Sequence, residues 1–299
     1  MQESLLFKLE KYTQNYINEK KSLNYSINTI NTYTLILESY YEYMVKYEDK
    51  IDLEDITKDI LLEYINSNNK LSNSSKQLRL TVIKSLFKYI DQNDDKYNFE
   101  KEFKKLNIKI QRKEIESLSD DEVQRLLKLF TKKSNSFNFN RDKLLINILL
   151  FTGIRATELL NLKYTDIELI EDDTMYRLLI TGKGNKQRYE YIVKDKIDNE
   201  LIFLKDYFTD DTLPYIAITN KNKHMSRIGL YNVISNKLKK ANIPKKGVHI
   251  LRHTFAKNLV AKNVNLSTIK DLLGHENIST TMVYAKSNEC NKIGAVRLL

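Results

Sequence analysis

The first third of the chain alternates apolar and polar positions with a helical period. Apolar residues recur every three to four positions along 27–41, and the same period returns from Thr57 to Ile65 and from about 72 to 90. Thr57 stands at the start of the second segment as its predicted N-cap. Because each segment presents one apolar face, the pattern predicts that the first hundred residues form amphipathic helices.

A polar, lysine-rich stretch ends this helical region, and we interpret residues 107–116 as a linker between two domains. The next element begins with a capping box, in which Ser119 accepts from the backbone of Glu122 and the Glu122 side chain reaches back. A chain of 299 residues has ample length for two domains. We therefore expect an N-terminal helical domain, 1–106, and a C-terminal domain, 117–299.

The C-terminal domain is expected to combine helices with one β-hairpin. Two short strands, 176–180 and 188–193, flank the glycine- and lysine-rich segment 182–186, which is typical of a hairpin turn. That segment lacks the spacing of a nucleotide-binding P-loop. The predicted fold class is mainly α, with a helical N-terminal domain and an α+β C-terminal domain. The predicted helices of the second domain are 141–151, broken at Gly153, then 155–162, 232–238, 252–262 and 265–273, which ends at Gly274.

Composition narrows the class of partner. The formal charge is +10, the pI is about 9.2, and the excess of Lys and Arg is dispersed along the chain. A dispersed basic surface favours a nucleic acid partner, and the alternative interpretation is that the charge serves solubility alone.

With Cys290 as the one cysteine, no intrachain disulfide is possible, which fits a reducing cytosol. We expect a cytoplasmic protein, because the N-terminus has no signal-peptide pattern and the longest apolar run, 144–151, is too short for a membrane span.

Candidate catalytic residues gather in three short motifs and one tyrosine. The motifs are residues 152–160 around Arg155, residues 249–253 with His249 and Arg252, and residues 272–275 with His275; Tyr284 follows. Arginine binds phosphate oxygens with two parallel N–H groups and stays charged, while a tyrosine hydroxyl can form a phosphodiester that stores the bond energy. His249 and Arg252 share one helical face at i, i+3. The set is typical of metal-free phosphoryl transfer.

A zinc site is the alternative interpretation of His249 and His253, which are four residues apart. The segment lacks the glutamate of a His-Glu-x-x-His site and offers no third ligand, so we expect no metal and no other cofactor.

These motifs resemble the active-site boxes of the tyrosine recombinases, the phage integrase family. The resemblance covers nearly the whole chain: the boxes are its specific part, and the N-terminal helices are similar to the family's core-binding, SAM-like domain. It implies a duplex-DNA clamp made by both domains, strongly sensitive to salt. The implied roles are phosphate binding for Arg155, Arg252 and His275, acid/base work for His249, protonation of the 5′-hydroxyl by Lys183, and nucleophilic attack by Tyr284.

Several neighbouring residues receive expectations from the same resemblance. Glu158 is expected to orient Arg155, and Lys186 and Arg188 are expected to contact the DNA backbone. His253 is expected to point elsewhere, as a structural hydrogen-bonding group. With no further N-terminal domain and a short C-terminal element at 293–299 for docking in a neighbouring protomer, the Xer recombinases are the most similar type.

The implied function is site-specific DNA recombination by a DNA-bound homotetramer, through a 3′-phosphotyrosine and a Holliday junction. An activator such as a DNA translocase is a further possible partner. Alternatives with the same chemistry are an integrase or transposase of a mobile element and a type IB topoisomerase, which would relax DNA without a defined site. A DNA-binding protein without catalysis would form no covalent adduct, and a metal-dependent nuclease would be inhibited by EDTA.

Overall fold

A computed structural model describes residues 3–110, 115–170, 172–207, 214–275, 277 and 279–284. The chain divides into two compact units, Met1–Lys113 and Glu114–Leu299. The fold is mainly helical with one small antiparallel sheet, which confirms the predicted fold class. Within the described residues, no helix combines the length and apolar character needed to cross a membrane.

The described residues of the first unit contain five α-helices. Serine N-caps begin three of them, and each serine hydroxyl accepts from the backbone N–H three residues on. Thr57 is the N-cap of the third helix, as predicted, but its side chain makes no capping hydrogen bond. The helices are α1 (Leu5–Ser22), α2 (Ile27–Met44), α3 (Lys58–Asn66), α4 (Asn73–Asn93) and α5 (Phe99–Phe103).

The core of this unit lies around α4, whose apolar face from Leu80 to Ile90 is fully buried. On α2 the buried face is centred further along the helix than the sequence pattern suggested, on Leu37 and Tyr40, while Ile27 is 76% exposed. Ile27 is the first residue of its helix, where no neighbouring helix covers it.

Packing of the first unit continues past α5. The backbone N–H of Ile108 donates to Gln77 of α4, and Asn73 donates to the carbonyl of Lys109. The proposed domain limits, 1–106 and 117–299 with a linker between them, stay a prediction, because residues 111–114 of that linker lie outside the described part of the chain.

The second unit surrounds one buried helix. Its helices are α6 (Asp120–Lys128), α7 (Phe137–Thr152), α8 (Ala156–Asn161), α9 (Asp198–Tyr207), α10 (Arg227–Lys240), α11 (His249–Ala261), α12 (Leu266–Leu273) and α13 (Ser279–Met282). Helix α7 is the buried one, with apolar residues on every side, and α9 and α11 pack against it. The predicted capping box of Ser119 and Glu122 starts α6.

The sheet contains the predicted hairpin and one further strand. Strands β2 (Met175–Thr181) and β3 (Gln187–Val193) pair antiparallel, and β1 (Ile167–Ile170) pairs with the outer edge of β2. The hairpin prediction is confirmed. Strand β1 was not predicted, because four residues give too short a pattern, although Asp172 and Asp173, which both adopt positive φ, precede β2.

Two left-handed glycines fix the ends of helices near the candidate site. Gly153 ends α7 with φ of +65°, and a Cβ there would lie 2.3 Å from a ring carbon of Phe255. Gly274 ends α12 with φ of +58°. Both breaks were predicted, and each turns the chain so that the next residues face one common region. The predicted C-terminal element, 293–299, and Cys290 lie outside the described residues.

Candidate active site

Arg155 is held by a carboxylate of its own helix. It is the N-cap residue of α8, and its backbone N–H donates to Glu158 Oε2 at 2.7 Å while its Nη1 donates to Glu158 Oε1 at 2.8 Å. The predicted contact between Glu158 and Arg155 is therefore confirmed. The other terminal nitrogen, Nη2, donates to the carbonyl of Gly274 at 2.7 Å, which ties Arg155 to the end of α12.

Arg252 reaches the same place from α11. Only 5% of the residue is exposed, and its Nη1 and Nη2 donate to the carbonyls of Gly153 and Leu273 at 2.7 and 2.6 Å. The two arginines thus bind the consecutive carbonyls of Leu273 and Gly274, where the C-terminal end of a helix carries partial negative charge. This shared anchor brings Arg155 and Arg252 together beside His275, although they stand 97 positions apart by their numbers.

A third arginine lies behind the first. Arg188 on β3 donates from Nη1 and Nη2 to the two oxygens of Glu158, at 3.0 Å each, and from Nε to Glu190 at 2.8 Å. Only 18% of its side chain is exposed. Three of its N–H groups thus donate to carboxylates inside the protein, and the expected contact between Arg188 and the DNA backbone stays a prediction. Arg188 supports the residue that holds Arg155.

The two carboxylates bound to Arg188 are in opposite protonation states. Burial raises the pKa of Glu158, but hydrogen bonds from Arg188 and from the Arg155 backbone outweigh it and lower that pKa to about 2. Burial raises the pKa of Glu190 to about 8 against the opposing effect of Arg188. Glu190 is 1% exposed, and its Oε2 has no hydrogen-bond partner among the described residues. At pH 7 Glu158 is charged and Glu190 is largely neutral.

The resulting cluster has excess positive charge. Arg155, Arg188 and Arg252 are opposed mainly by the single charge of Glu158. Burial and the nearby Arg155 lower the pKa of Arg252 to about 10, which leaves it protonated at neutral pH. Like charges held this close are stable when an anion lies between them, so the electrostatics favour a bound phosphate group.

His275 lies directly after the anchor carbonyls. Its Nδ1 is 2.9 Å from Oγ1 of Thr281, a fully buried residue of α13. Burial and the charges of Arg252 and Arg155 lower the pKa of His275 to about 4. The side chain is therefore neutral at pH 7, and Thr281 fixes one ring nitrogen, while the other has no hydrogen-bond partner among the described residues.

His249 is the first residue of α11, one turn before Arg252. Desolvation and the charges of Arg227 and Arg252 lower the pKa of His249. Arg227, the first residue of α10, thus adds positive charge on this side of the site.

Tyr284 is in hydrogen-bond contact with a histidine that the sequence did not assign to the site. Its Oη lies 2.6 Å from Nδ1 of His253, and Tyr284 packs against the small apolar cluster of α11 and α12. The expectation that His253 points elsewhere is therefore wrong. Burial raises the pKa of Tyr284, and Arg252 opposes that effect.

Lys183 begins the turn between β2 and β3, where Gly184 and Asn185 both adopt positive φ. Its side chain lies outside the described part of the structure, so its role stays a prediction. Within the described residues, no group of three or more His, Cys, Asp or Glu side chains is arranged to hold a metal ion.

Arg188 and its partner Glu190 follow a strand pattern. Arg188, Glu190 and Ile192 alternate along β3 and pair with buried residues of β2, so they share the buried face of the sheet. That alternation was visible in the sequence as a signal for Arg188. For the carbonyl anchors no sequence signal exists, because backbone groups belong to every residue.

Comparison with known proteins identifies the family. The phage integrase family matches residues 116–290. A tyrosine recombinase of Thermosipho africanus is 30% identical over 281 residues, covering 92% of this chain and 94% of that protein. Tyrosine recombinase XerH of Campylobacter jejuni is 29% identical over 277 residues, covering 89% and 77%.

A solved structure agrees with these relatives. The crystal structure of XerH site-specific recombinase bound to difH substrate, a pre-cleavage complex, has a TM-score of 0.74 at 27% identity and covers 96% of this chain and 83% of that one. The chain belongs to the phage integrase family, as a Xer-type tyrosine recombinase.

Proposed function

We propose that this recombinase binds a defined site in double-stranded DNA and that Tyr284 attacks the scissile phosphate. The observation that carries the assignment is the anchoring of Arg155 and Arg252 on consecutive carbonyls beside His275. This arrangement aims guanidinium groups at one small region with excess positive charge. A phosphodiester supplies the anion that such a region favours.

The arginines and His275 would stabilise the charge that builds on the non-bridging oxygens. Arg252 uses one N–H of each terminal nitrogen for a carbonyl, which leaves further N–H groups for phosphate. Because the carbonyls and Glu158 hold both guanidinium groups before substrate arrives, little reorganisation is needed at the moment of reaction.

The chemical step exchanges one phosphate ester for another. The P–Oη bond to Tyr284 forms and the P–O5′ bond breaks, which leaves a 3′-phosphotyrosine and a free 5′-hydroxyl. We assign protonation of the leaving oxygen to Lys183 and assistance in proton transfer to His249. The 5′-hydroxyl of a partner strand then reverses the step, and the mechanism needs neither a metal nor a nucleotide.

A dispersed charge of +10 supports DNA as the substrate. Each chain supplies one Tyr284, while exchange between two duplexes requires four strand cleavages, so we propose that four copies assemble on paired sites through a Holliday junction. We propose a cytoplasmic location, because the proposed substrate is DNA. An activator such as a DNA translocase stays a prediction from the family resemblance.

The test is covalent trapping in the presence of EDTA. Nicked duplexes with a randomised core would be incubated with wild type, with Tyr284→Phe and with the exposed-tyrosine control Tyr25→Phe, and resolved on a denaturing gel. We expect a slow-migrating adduct for wild type and the control but none for Tyr284→Phe.

Other results would replace the proposal with a specific alternative. An adduct that persists in Tyr284→Phe contradicts the nucleophile. Cleavage that EDTA abolishes indicates a metal-dependent nuclease, and relaxation of supercoiled DNA that needs no defined sequence indicates a topoisomerase. Binding to duplex DNA with no adduct on any member of the pool indicates a DNA-binding protein without catalysis.

A further inference from the structure

The shortest polar contact of the proposed nucleophile is with His253. The Nδ1 of this histidine lies 2.6 Å from the Oη of Tyr284, and the two ring centroids are 5.7 Å apart. His253 follows Arg252 directly on α11, whereas Tyr284 lies two residues beyond α13. A proton acceptor thus lies within hydrogen-bond distance of the reacting oxygen, on a helix that also carries a phosphate ligand.

The chemistry of the two groups fixes the direction of this hydrogen bond. A neutral imidazole has one nitrogen with a lone pair and one with a hydrogen. A phenol is a stronger donor than acceptor, and an imidazole lone pair is a stronger acceptor than a phenol oxygen. The Tyr284 hydroxyl therefore donates to Nδ1 of His253, and the hydrogen of the histidine is on Nε2.

We propose that His253 is the general base of the cleavage reaction, which takes the Tyr284 proton as the phenol oxygen attacks phosphorus. The proposal rests on the proposed function, in which Tyr284 is the nucleophile. The O–H bond of Tyr284 breaks toward Nδ1 of His253, its electron pair forms the P–Oη bond, and the P–O5′ bond breaks. The leaving oxygen is protonated separately, by Lys183, and religation returns the proton from His253 to Tyr284.

The other histidines are occupied differently. Nδ1 of His275 is bonded to Thr281, which leaves its other nitrogen for the proposed phosphate contact. The ring centroid of His249 is 6.5 Å from that of His253, on the preceding turn of α11. With His253 at the attacking oxygen and Lys183 at the leaving oxygen, each end of the reversible reaction has its own proton-transfer group.

The electrostatics connect the strength of this base to substrate binding. Burial and the nearby His249 and Arg252 lower the pKa of His253 to about 4, so in the free protein it is neutral and weakly basic. A bound phosphodiester adds a negative charge beside Arg252 and offsets that repulsion. The base is then strongest when the scissile phosphate is in place, which limits activation of Tyr284 to the DNA complex.

Single-turnover adduct formation on the trapping duplex measures the effect. His253→Gln keeps a hydrogen-bonding side chain but cannot take a proton, so we expect adduct formation to slow by about 100-fold or more, with DNA affinity unchanged. The matched control is His224→Gln, a histidine whose Nε2 contacts the carbonyl of Leu160, and we expect the wild-type rate for it. A wild-type or faster rate for His253→Gln overturns the proposal, because a faster rate marks the contact as a restraint on Tyr284.

Two substrate and nucleophile changes separate a base from a structural group. A duplex with sulfur in place of the leaving O5′ needs no protonation of the leaving group, so it should restore the rate of Lys183→Ala but not that of His253→Gln. Replacing Tyr284 by 3-fluorotyrosine lowers the pKa of the phenol. In the His253→Gln variant this replacement should raise the rate of adduct formation at least tenfold. Failure of that rescue, or rescue by the sulfur substrate, contradicts the assignment.

The wild-type protein offers a second test, which applies even if the His253 variants do not fold. Nitrogen NMR of the imidazole should show Nδ1 without hydrogen and Nε2 with hydrogen, and a hydrogen on Nδ1 overturns the proposal. If Tyr284 is not a nucleophile, wild type forms no adduct at all. If only the role of His253 is wrong, wild type still forms the adduct.

Discussion

Arg188 donates from both terminal nitrogens to the carboxylate of Glu158, at 3.0 Å each. The same carboxylate holds the backbone and the Nη1 of Arg155. An arginine of the β-hairpin thus fixes the group that orients a proposed phosphate ligand. Because Glu158 is 4% exposed, it depends on these hydrogen bonds for its charge.

Removing Arg188 should therefore lower both stability and activity. We expect Arg188→Ala to reduce the free energy of unfolding by about 3 kcal/mol, measured by urea titration with circular dichroism, because it leaves a buried carboxylate without its main partner. Adduct formation should fall as well, since Arg155 loses its orientation. The control is Lys88→Ala, which breaks the exposed pair with Glu100 and should change stability by less than about 1 kcal/mol. Equal effects of the two variants contradict this account.

Glu190 should make stability depend on pH in the neutral range. Its pKa is about 8 in the folded chain, where burial raises it, and near 4.5 when unfolded. Between these values the folded state binds more protons than the unfolded state, so its stabilising contribution is complete below pH 4.5 and is lost as pH rises through 8. We expect the unfolding free energy of wild type, relative to Glu190→Gln, to decrease steadily from pH 5.5 to 8.5. A constant difference would show that Glu190 is already ionised.

Gly274 is expected to tolerate no side chain. It has φ of +58°, and a Cβ would lie 2.9 Å from Nη1 of Arg188, which Glu158 and Glu190 hold in place. Gly184 has φ of +71°, but no described atom outside its chain neighbours lies within 4 Å of an added Cβ. A side chain at Gly184 would therefore cause backbone strain without a steric clash. We expect thermal and urea unfolding to show a loss of about 1 kcal/mol for Gly184→Ala and at least about 2 kcal/mol for Gly274→Ala. Equal losses would mean that Arg188 can move aside.

Arg252 should not be replaceable by lysine. Its planar fork reaches the carbonyls of Gly153 and Leu273 at once, and a single ammonium group cannot keep both while also contacting phosphate. We expect Arg252→Lys to slow adduct formation by about 100-fold or more in single-turnover assays. Retention of the wild-type rate would show that charge alone suffices at this position.

Much of the fold was predictable because helical periods and caps are local signals. The capping box at Ser119, the breaks at Gly153 and Gly274, and the hairpin all depend on residues that are close in sequence. Strand β1 escaped prediction because its pairing with β2, and not its own four residues, makes it a strand.

The site was predictable only to the level of residue identity. The motifs gave Arg155, His249, Arg252, His275 and Tyr284, but their meeting point depends on backbone carbonyls at the end of α12, which carry no sequence signature. The carboxylate partners of Arg188 were not predicted, because Glu158 and Glu190 are distant from the hairpin turn or hidden within a strand, and their contacts with Arg188 form only in the folded protein.

Locating the covalent bond to DNA would test directly whether Tyr284 is the nucleophile. The trapped wild-type adduct would be digested with trypsin and nuclease, and the peptide that retains a nucleotide would be sequenced by mass spectrometry. We predict a phosphodiester on the hydroxyl of Tyr284, joined to the 3′ end of the cleaved strand. A nucleotide on any other residue, or one attached through its 5′ end, would contradict it.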